Sequence, residues 1–483
     1  MAQPFNLARP AQFARTVKRQ LANAEEDGRA ALGQLLNRLQ PSPKDAGALF
    51  TPTPFAFRPY PAPQLTTAQI VSPPDGHYMH SFFDVPPVSP SGRYLLLSKI
   101  PFIWRLPVPG DAAELCVVDL YEQTIETIYR SRGWGMQLGI NAQWHPKSDD
   151  VVFCNDLIDG DGVAVMIDRS NRQHRVLGGP LYTIDPKGGY VLGPSLTKIN
   201  HSQDGYGVPV PSRRTLQIAP GLADDDGLWR TDINSGKREL LVSIRDLARD
   251  LPDRSRLENA VTSLFHCKLN PSGTRIMQVM RHVGLHGRTG TVRSRLLTLD
   301  AEGGGIAERV SVKQWDRGGH HPNWLDETSI IMNLVLKRRT PMRFVRIDDQ
   351  DGRITPFTEA RLGSGHPTFK HGLIITDCYH HEGFGDGDGL PLRLIDPAQG
   401  SEQAILHVDC GRPGLKARRI DPHPAWSRDG QQLIVNCLVE NKRQTLLIDM
   451  TKLLAARQAI DLDRLDRRLN AAPADLLQSE QAI

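Results

Sequence analysis

The chain has 483 residues, 23% of them charged and 39% hydrophobic, which excludes wholesale disorder and leaves room for at least one large core. Its formal net charge of +4, from 58 Lys and Arg against 54 Asp and Glu, is too slight to mark a nucleic-acid binder. No run approaches the ~18 apolar residues of a membrane span, so neither nucleic acid nor membrane is an expected partner.

The first segment, MAQPFNLARPAQFARTVKRQL, has no apolar stretch followed by a small-residue cleavage site, which argues against a secretory signal. Apolar residues at helical spacing predict an N-terminal helix over residues 10–40, and the Pro-rich stretch Gln40–Pro63 reads as a linker. Residues 1–63 are therefore expected to form an extension outside the main fold. The six cysteines, Cys116, Cys154, Cys267, Cys378, Cys410 and Cys437, lie far apart, and several sit in apolar runs. They read as free, buried thiols of a reducing compartment, which makes the expected location cytoplasmic.

From residue 64 onward the chain repeats. An apolar, β-rich segment ending in Asp recurs seven times, at Asp119, Asp168, Asp232, Asp300, Asp348, Asp396 and Asp449. Interleaved with it is a short strand, a polar turn and an apolar strand, as in FHCKLNPSGTRIMQVM, HPNWLDETSIIM and HPAWSRDGQQLIVN. The alternation predicts an all-β fold, a seven-bladed β-propeller over residues 64–450, with a helical tail at 451–483. The last repeat lacks a fourth strand, and Thr66–Val71 is the apolar segment available to close the ring. The loop EGFGDGDG at 382–389 lacks the downstream Glu of a calcium loop and reads as surface.

In a propeller the first strand of each blade runs beside the central axis. Counting back from the turns places Gln143, Tyr182, His266, His321, His366 and His423 at the opening of that strand. Blade 1 offers Val85 there, with His80 just before it. Imidazoles that converge on one axis can hold a divalent cation, and His266, His321, His366 and His423 are the expected ligands of Zn²⁺ or Mn²⁺.

The same residues carry a family resemblance. The His–Pro–Trp/Phe blade openings, HSFFDVPPVSPSGRYLLL, PGDAAELCVVDL and GGPLYTIDPKGGYVLGPSLTKINHSQDGYG resemble the propeller polysaccharide lyases of the oligogalacturonate, ulvan and rhamnose–glucuronate lyase families. The resemblance implies β-elimination on a uronate-containing oligo- or polysaccharide. A base must take the C5 proton, an acid must protonate O4, and a cation must hold the carboxylate. It assigns Tyr182 as base, or as base and acid combined, with His80 assisting proton transfer or neutralising the carboxylate. Lys198 stands where these families carry an Arg, and keeps the charge without the bidentate fork. Arg281 and Lys99 would supply further charge, and Gln143 and Tyr206 would line the sugar groove. Trp104 departs from the polar residue or His expected in some relatives. The alternative readings are a noncatalytic TolB-like propeller that binds a protein or glycan, and a hydrolase with a metal-activated water.

Overall fold

Every one of the seven Asp-terminated segments is a strand that ends on its Asp. The cause is local. At Asp119, Asp168, Asp232, Asp348, Asp396 and Asp449 a carboxylate oxygen accepts the backbone N–H two residues on, or three in the case of Asp232. Six of the seven strands are thus closed by an Asx turn.

These are the third strands of seven antiparallel sheets, and the fold is a seven-bladed β-propeller. The computed structural model describes residues 49–61, 65–210, 218–284, 292–357, 364–384, 389–411 and 419–457. Blades 1 to 6 follow in chain order from residue 77, and blade 7 contains 425–449. Ala68–Ile70 pairs with Leu446–Ile448 as the fourth strand of blade 7, which is the ring closure expected of Thr66–Val71. The segment before it does more than link. Arg58–Pro59 pairs with Gln69–Ile70, and Thr53–Pro54 pairs with Thr124–Ile125, so the extension adds outermost strands to blades 7 and 1. The helix expected at 10–40 lies outside the described residues, as does most of the C-terminal tail, of which 451–457 is helical. All six cysteines are buried and unpaired. No helix among the described residues is long and apolar enough to cross a membrane.

Blades are tied to one another along the axis by repeated tryptophans. The Trp144 indole N–H donates to the Pro87 carbonyl of blade 1 (2.9 Å), and that of Trp324 to the Lys268 carbonyl of blade 4 (3.1 Å). Trp144, Trp324 and Trp426 hold equivalent ladder positions, opposite Val152, Ile330 and Leu433. Val88, Ile184, Leu269 and Phe369 fill that place in the other blades.

Three residues before these positions stand Val85, Asn141, Leu181, His266, His321, His366 and His423. The four histidines therefore share one register, but Gln143 and Tyr182 do not. The blade 2 turn is one residue longer than that of blade 4 and has no glycine to count from, and together these displace the count by two places to Gln143. In blade 3 the left-handed turn glycine matching Gly273 (φ 72°) is Gly188 (φ 82°) rather than its neighbour Gly189, which displaces the count to Tyr182. Asn141, His266, His321 and His423 all have left-handed backbones, with φ between 49° and 54°. In blades 4 and 5 this coincides with a shift of ladder register, a bulge that turns the side chain away from the regular alternation.

Candidate functional site

Blade 1 gives up part of its inner strand to build the axis. His77–Met79 pairs with Ser98–Ile100, the chain then leaves the sheet, and the ladder resumes at Val88–Leu95. The excursion carries His80, Phe82, Phe83 and Asp84 into the middle of the ring. Phe82 stacks on His266 (5.3 Å between centroids) and meets His423 edge-on (4.6 Å), while Phe83 lies against His366 (5.2 Å). Lys268 anchors the wedge: its ammonium is 3.0 Å from Asp84 Oδ2 and 4.1 Å from the centre of the Phe83 ring.

The four histidines divide into different tasks. His366 donates from Nδ1 to both oxygens of Asp377 (3.0 Å each), which leaves its Nε2 without a hydrogen-bond partner. Neither ring nitrogen of His423 has a hydrogen-bond partner, its Nε2 lying 3.8 Å from Asp421 Oδ2, although its backbone N–H donates to Asp377 Oδ2 (3.1 Å). Asp421, two residues before His423, completes a group whose potential ligand atoms lie within 4.8 Å of one another. Asp421 is also the ion-pair partner of Arg419 (2.8 Å). Burial holds His423 well below the usual imidazole range, so it is neutral and its lone pair is available. Two imidazole nitrogens and a carboxylate oxygen suit Zn²⁺ or Mn²⁺. The expected four-histidine site is therefore reduced to two histidines and gains an aspartate.

His321 and His266 are committed elsewhere. His321 Nδ1 donates to the carbonyls of Ser364 (2.7 Å) and Gly365 (3.0 Å), and its Nε2 faces the Tyr379 hydroxyl (3.4 Å). His266 Nδ1 is hydrogen-bonded to the Tyr182 hydroxyl. Burial raises the Tyr182 phenol well above its ordinary value and lowers His266 well below its own. The pair is thus neutral, with the phenol donating to the imidazole.

Arg281 supplies the positive charge beside this pair. Its guanidinium lies over the Phe265 ring (3.8 Å), donates to Gln203 Oε1 (3.0 Å), and opposes the rise of the Tyr182 pKa. Burial brings Arg281 down to about 10, so it stays charged at neutral pH. Tyr206 closes the group, with its hydroxyl 3.4 Å from Arg419 and its ring edge-on to Phe82 and Phe265.

The remaining expected residues separate. His80 is buried near His423, its ring facing the backbone of Pro422 and His423, and burial lowers its pKa to about 3. Gln143 is structural: its amide donates to the Tyr182 carbonyl (2.9 Å) and ties blade 2 to blade 3. Lys198 is not brought to the Tyr182–His266 pair; it binds Asp226 (2.5 Å) and lines a cleft with Thr197, Asp225 and Trp229. Lys99 pairs with Asp75 (3.5 Å) and lines a different cleft with Phe55 and Tyr78. Trp104 is 62% exposed, on the loop between the second and third strands of blade 1. Residues 385–388 of the Gly/Asp loop lie outside the described residues.

Reading the sequence missed Asp377, Asp421, Arg419, Arg443 and the Phe82–Phe83 wedge. Asp421 had a usable signal. In DPHP it stands two residues from His423, the spacing that puts two side chains on one side of an extended segment. Asp377 had none, because it leaves the far end of the second strand of blade 6 and meets His366 only through the ladder.

A propeller with a buried His/Asp centre at its axis is the class that fold and site define. No family profile matches the chain, and no curated protein matches it. Among solved structures it is similar to an oligogalacturonate lyase in complex with manganese, at 14% identity, with a TM-score of 0.57. That match covers 83% of this chain and 98% of the other. It is equally similar to oligogalacturonate lyase from Vibrio parahaemolyticus, at 12% identity, the same TM-score and the same coverage. The chain shares the propeller fold of the oligogalacturonate lyases. TolB from Acinetobacter baumannii also matches, with a TM-score of 0.35 at 10% identity, over 74% of this chain and 80% of that one.

Proposed function

We propose that this protein is a lyase that cleaves a uronate-containing oligosaccharide by β-elimination at the propeller axis. The observation that carries the reading is the neutral Tyr182–His266 pair, held beside Arg281 and on the same ring as the His366, Asp421 and His423 group. In the reaction the C5–H and C4–O4 bonds break and a C4–C5 double bond forms. Tyr182 becomes a base by passing its proton to His266, a transfer that the burial of both groups opposes, and Arg281 stabilises the phenolate so formed. The same phenol, once protonated, delivers a proton to the departing O4. His80 supports proton transfer from the side of blade 1.

A divalent cation held by His366 Nε2, His423 and Asp421 would supply charge stabilisation for the substrate carboxylate. Asp377 fixes the tautomer that turns His366 Nε2 toward this group. Asp377→Asn is expected to weaken Mn²⁺ or Zn²⁺ binding by about 10–100-fold, measured by calorimetric titration of the full chain. Unchanged affinity would remove Asp377 from this role.

The uronate reading is supported by the positive charges of Arg281 beside Tyr182 and of Arg443 beside His423, and work inside the cell by the six unpaired thiols. The test is incubation of the metal-loaded chain with oligogalacturonate, ulvan and rhamnose–glucuronate polymers while the ultraviolet absorbance of unsaturated uronate is followed. Growth of that absorbance with at least one polymer is expected. Binding without any unsaturated product would favour the noncatalytic propeller.

A further inference from the structure

Three arginine side chains rank among the largest wholly buried groups of the structure: Arg295, Arg393 and Arg443. Two have their counter-charges. Arg295 pairs with Asp253 (2.7 Å) and Glu308 (2.8 Å), and Arg393 with Glu402 (2.7 Å). Arg443 differs. Its Nη1 donates to the Met136 carbonyl (2.7 Å), but its Nε and Nη2 have no partner, and no carboxylate of the described residues forms an ion pair with it. A buried guanidinium without a counter-charge is costly, and burying one is tolerated where an anion is to be received.

The neighbours of Arg443 share this property. Asn436 and Thr445 are ladder partners, and Arg443 lies two residues from Thr445, so the three project from one face of blade 7. Asn436 Nδ2 and Thr445 Oγ1 are buried and without hydrogen-bond partners, and His80, whose ring faces the backbone of Pro422 and His423, donates its backbone N–H to Asn436 Oδ1 (3.1 Å). The cluster is rich in donors and carries one fixed positive charge. It adjoins the proposed centre: His80 and His423 both feel the charge of Arg443, and Arg443 feels that of Asp421.

We propose that Arg443, with His80 and Asn436, is a receptor for a carboxylate group of the ligand. The free edge of the guanidinium is decisive here. Nε and Nη2 together form the fork that donates to both oxygens of one carboxylate, whereas a spherical anion uses only part of it. This inference rests on the uronate reading of the site but does not require that the uronate be cleaved.

The test is calorimetric titration of the full wild-type chain and of Arg443→Met with galacturonate, with galacturonate methyl ester and with chloride. Wild type is expected to bind galacturonate and not the ester, and Arg443→Met to bind galacturonate at least roughly tenfold more weakly. Arg443→Lys, which keeps the charge and loses the fork, is expected to recover only part of that loss. A second readout does not depend on the variants folding: the Arg443 Nε–H resonance of wild type should move on addition of galacturonate and stay in place with the ester. Equal binding by wild type and Arg443→Met, no galacturonate binding by wild type, full competition by chloride, or an unmoved Nε–H would each overturn the proposal. Product formation is not read, so failure of the lyase reading leaves this result interpretable.

Discussion

Tyr182→Phe is expected to lower kcat/KM on an oligouronate by about 10²–10⁴-fold while fold and metal content stay as in wild type. Phenylalanine keeps the ring that meets His266 edge-on and removes only the hydroxyl bonded to His266 Nδ1. If that hydroxyl merely closed a hydrogen bond in the core, stability would move by about 1–3 kcal/mol and turnover would be nearly unchanged. The measurement is the steady-state rate of unsaturated-product formation, with circular dichroism and metal content read on the same preparation. A variant with wild-type kcat/KM would take Tyr182 out of the chemistry.

The second large effect concerns stability. Asp84→Asn leaves the Lys268 ammonium buried between Phe82 and Phe83 with no carboxylate beside it. Burial already depresses the Lys268 pKa, and Asp84 is what opposes that shift. The expected loss is about 3–5 kcal/mol by denaturant unfolding, the usual result of removing one partner of a buried pair. Adding Lys268→Met to Asp84→Asn should return most of it, because the charge that lost its partner is then gone as well. A single variant as stable as wild type would show that the wedge does not depend on the pair. Since Phe82 and Phe83 touch His266, His366 and His423, the single variant should also loosen the metal group.

The parts of this fold that are legible in the sequence are those that repeat. A strand that ends on Asp is a local device, its carboxylate capping its own turn in six of the seven copies, so the repeat betrays seven third strands without any knowledge of packing. Ring closure by Thr66–Val71 was readable for a related reason: the last repeat was one strand short. The four-histidine register was readable too, but its extension to Gln143 and Tyr182 was not. Turn length varies between blades, and a count taken from the turn slips where the turn lengthens or carries two glycines.

The site itself is only half legible. His366 and His423 announce themselves through the His–Pro openings, whereas Asp377, just past a second strand, and Arg443, at the start of a third strand, stand at positions outside the repeated motifs. The charge beside Tyr182 was sought first at Lys198, which helix geometry delivers to Asp226, and next at Arg281 and Lys99; of these Arg281, from the next blade, is the one that lies beside the phenol. Sequence spacing cannot see contacts that exist only because seven sheets close on one axis.

The most direct test of the central claim is the mass of the products made by the metal-loaded wild-type chain from a defined oligouronate in heavy-oxygen water. Elimination predicts fragments whose masses sum to that of the substrate, one of them unsaturated between C4 and C5 and none carrying heavy oxygen. Saturated fragments carrying one heavy oxygen per cleaved bond would contradict the lyase reading and establish hydrolysis instead.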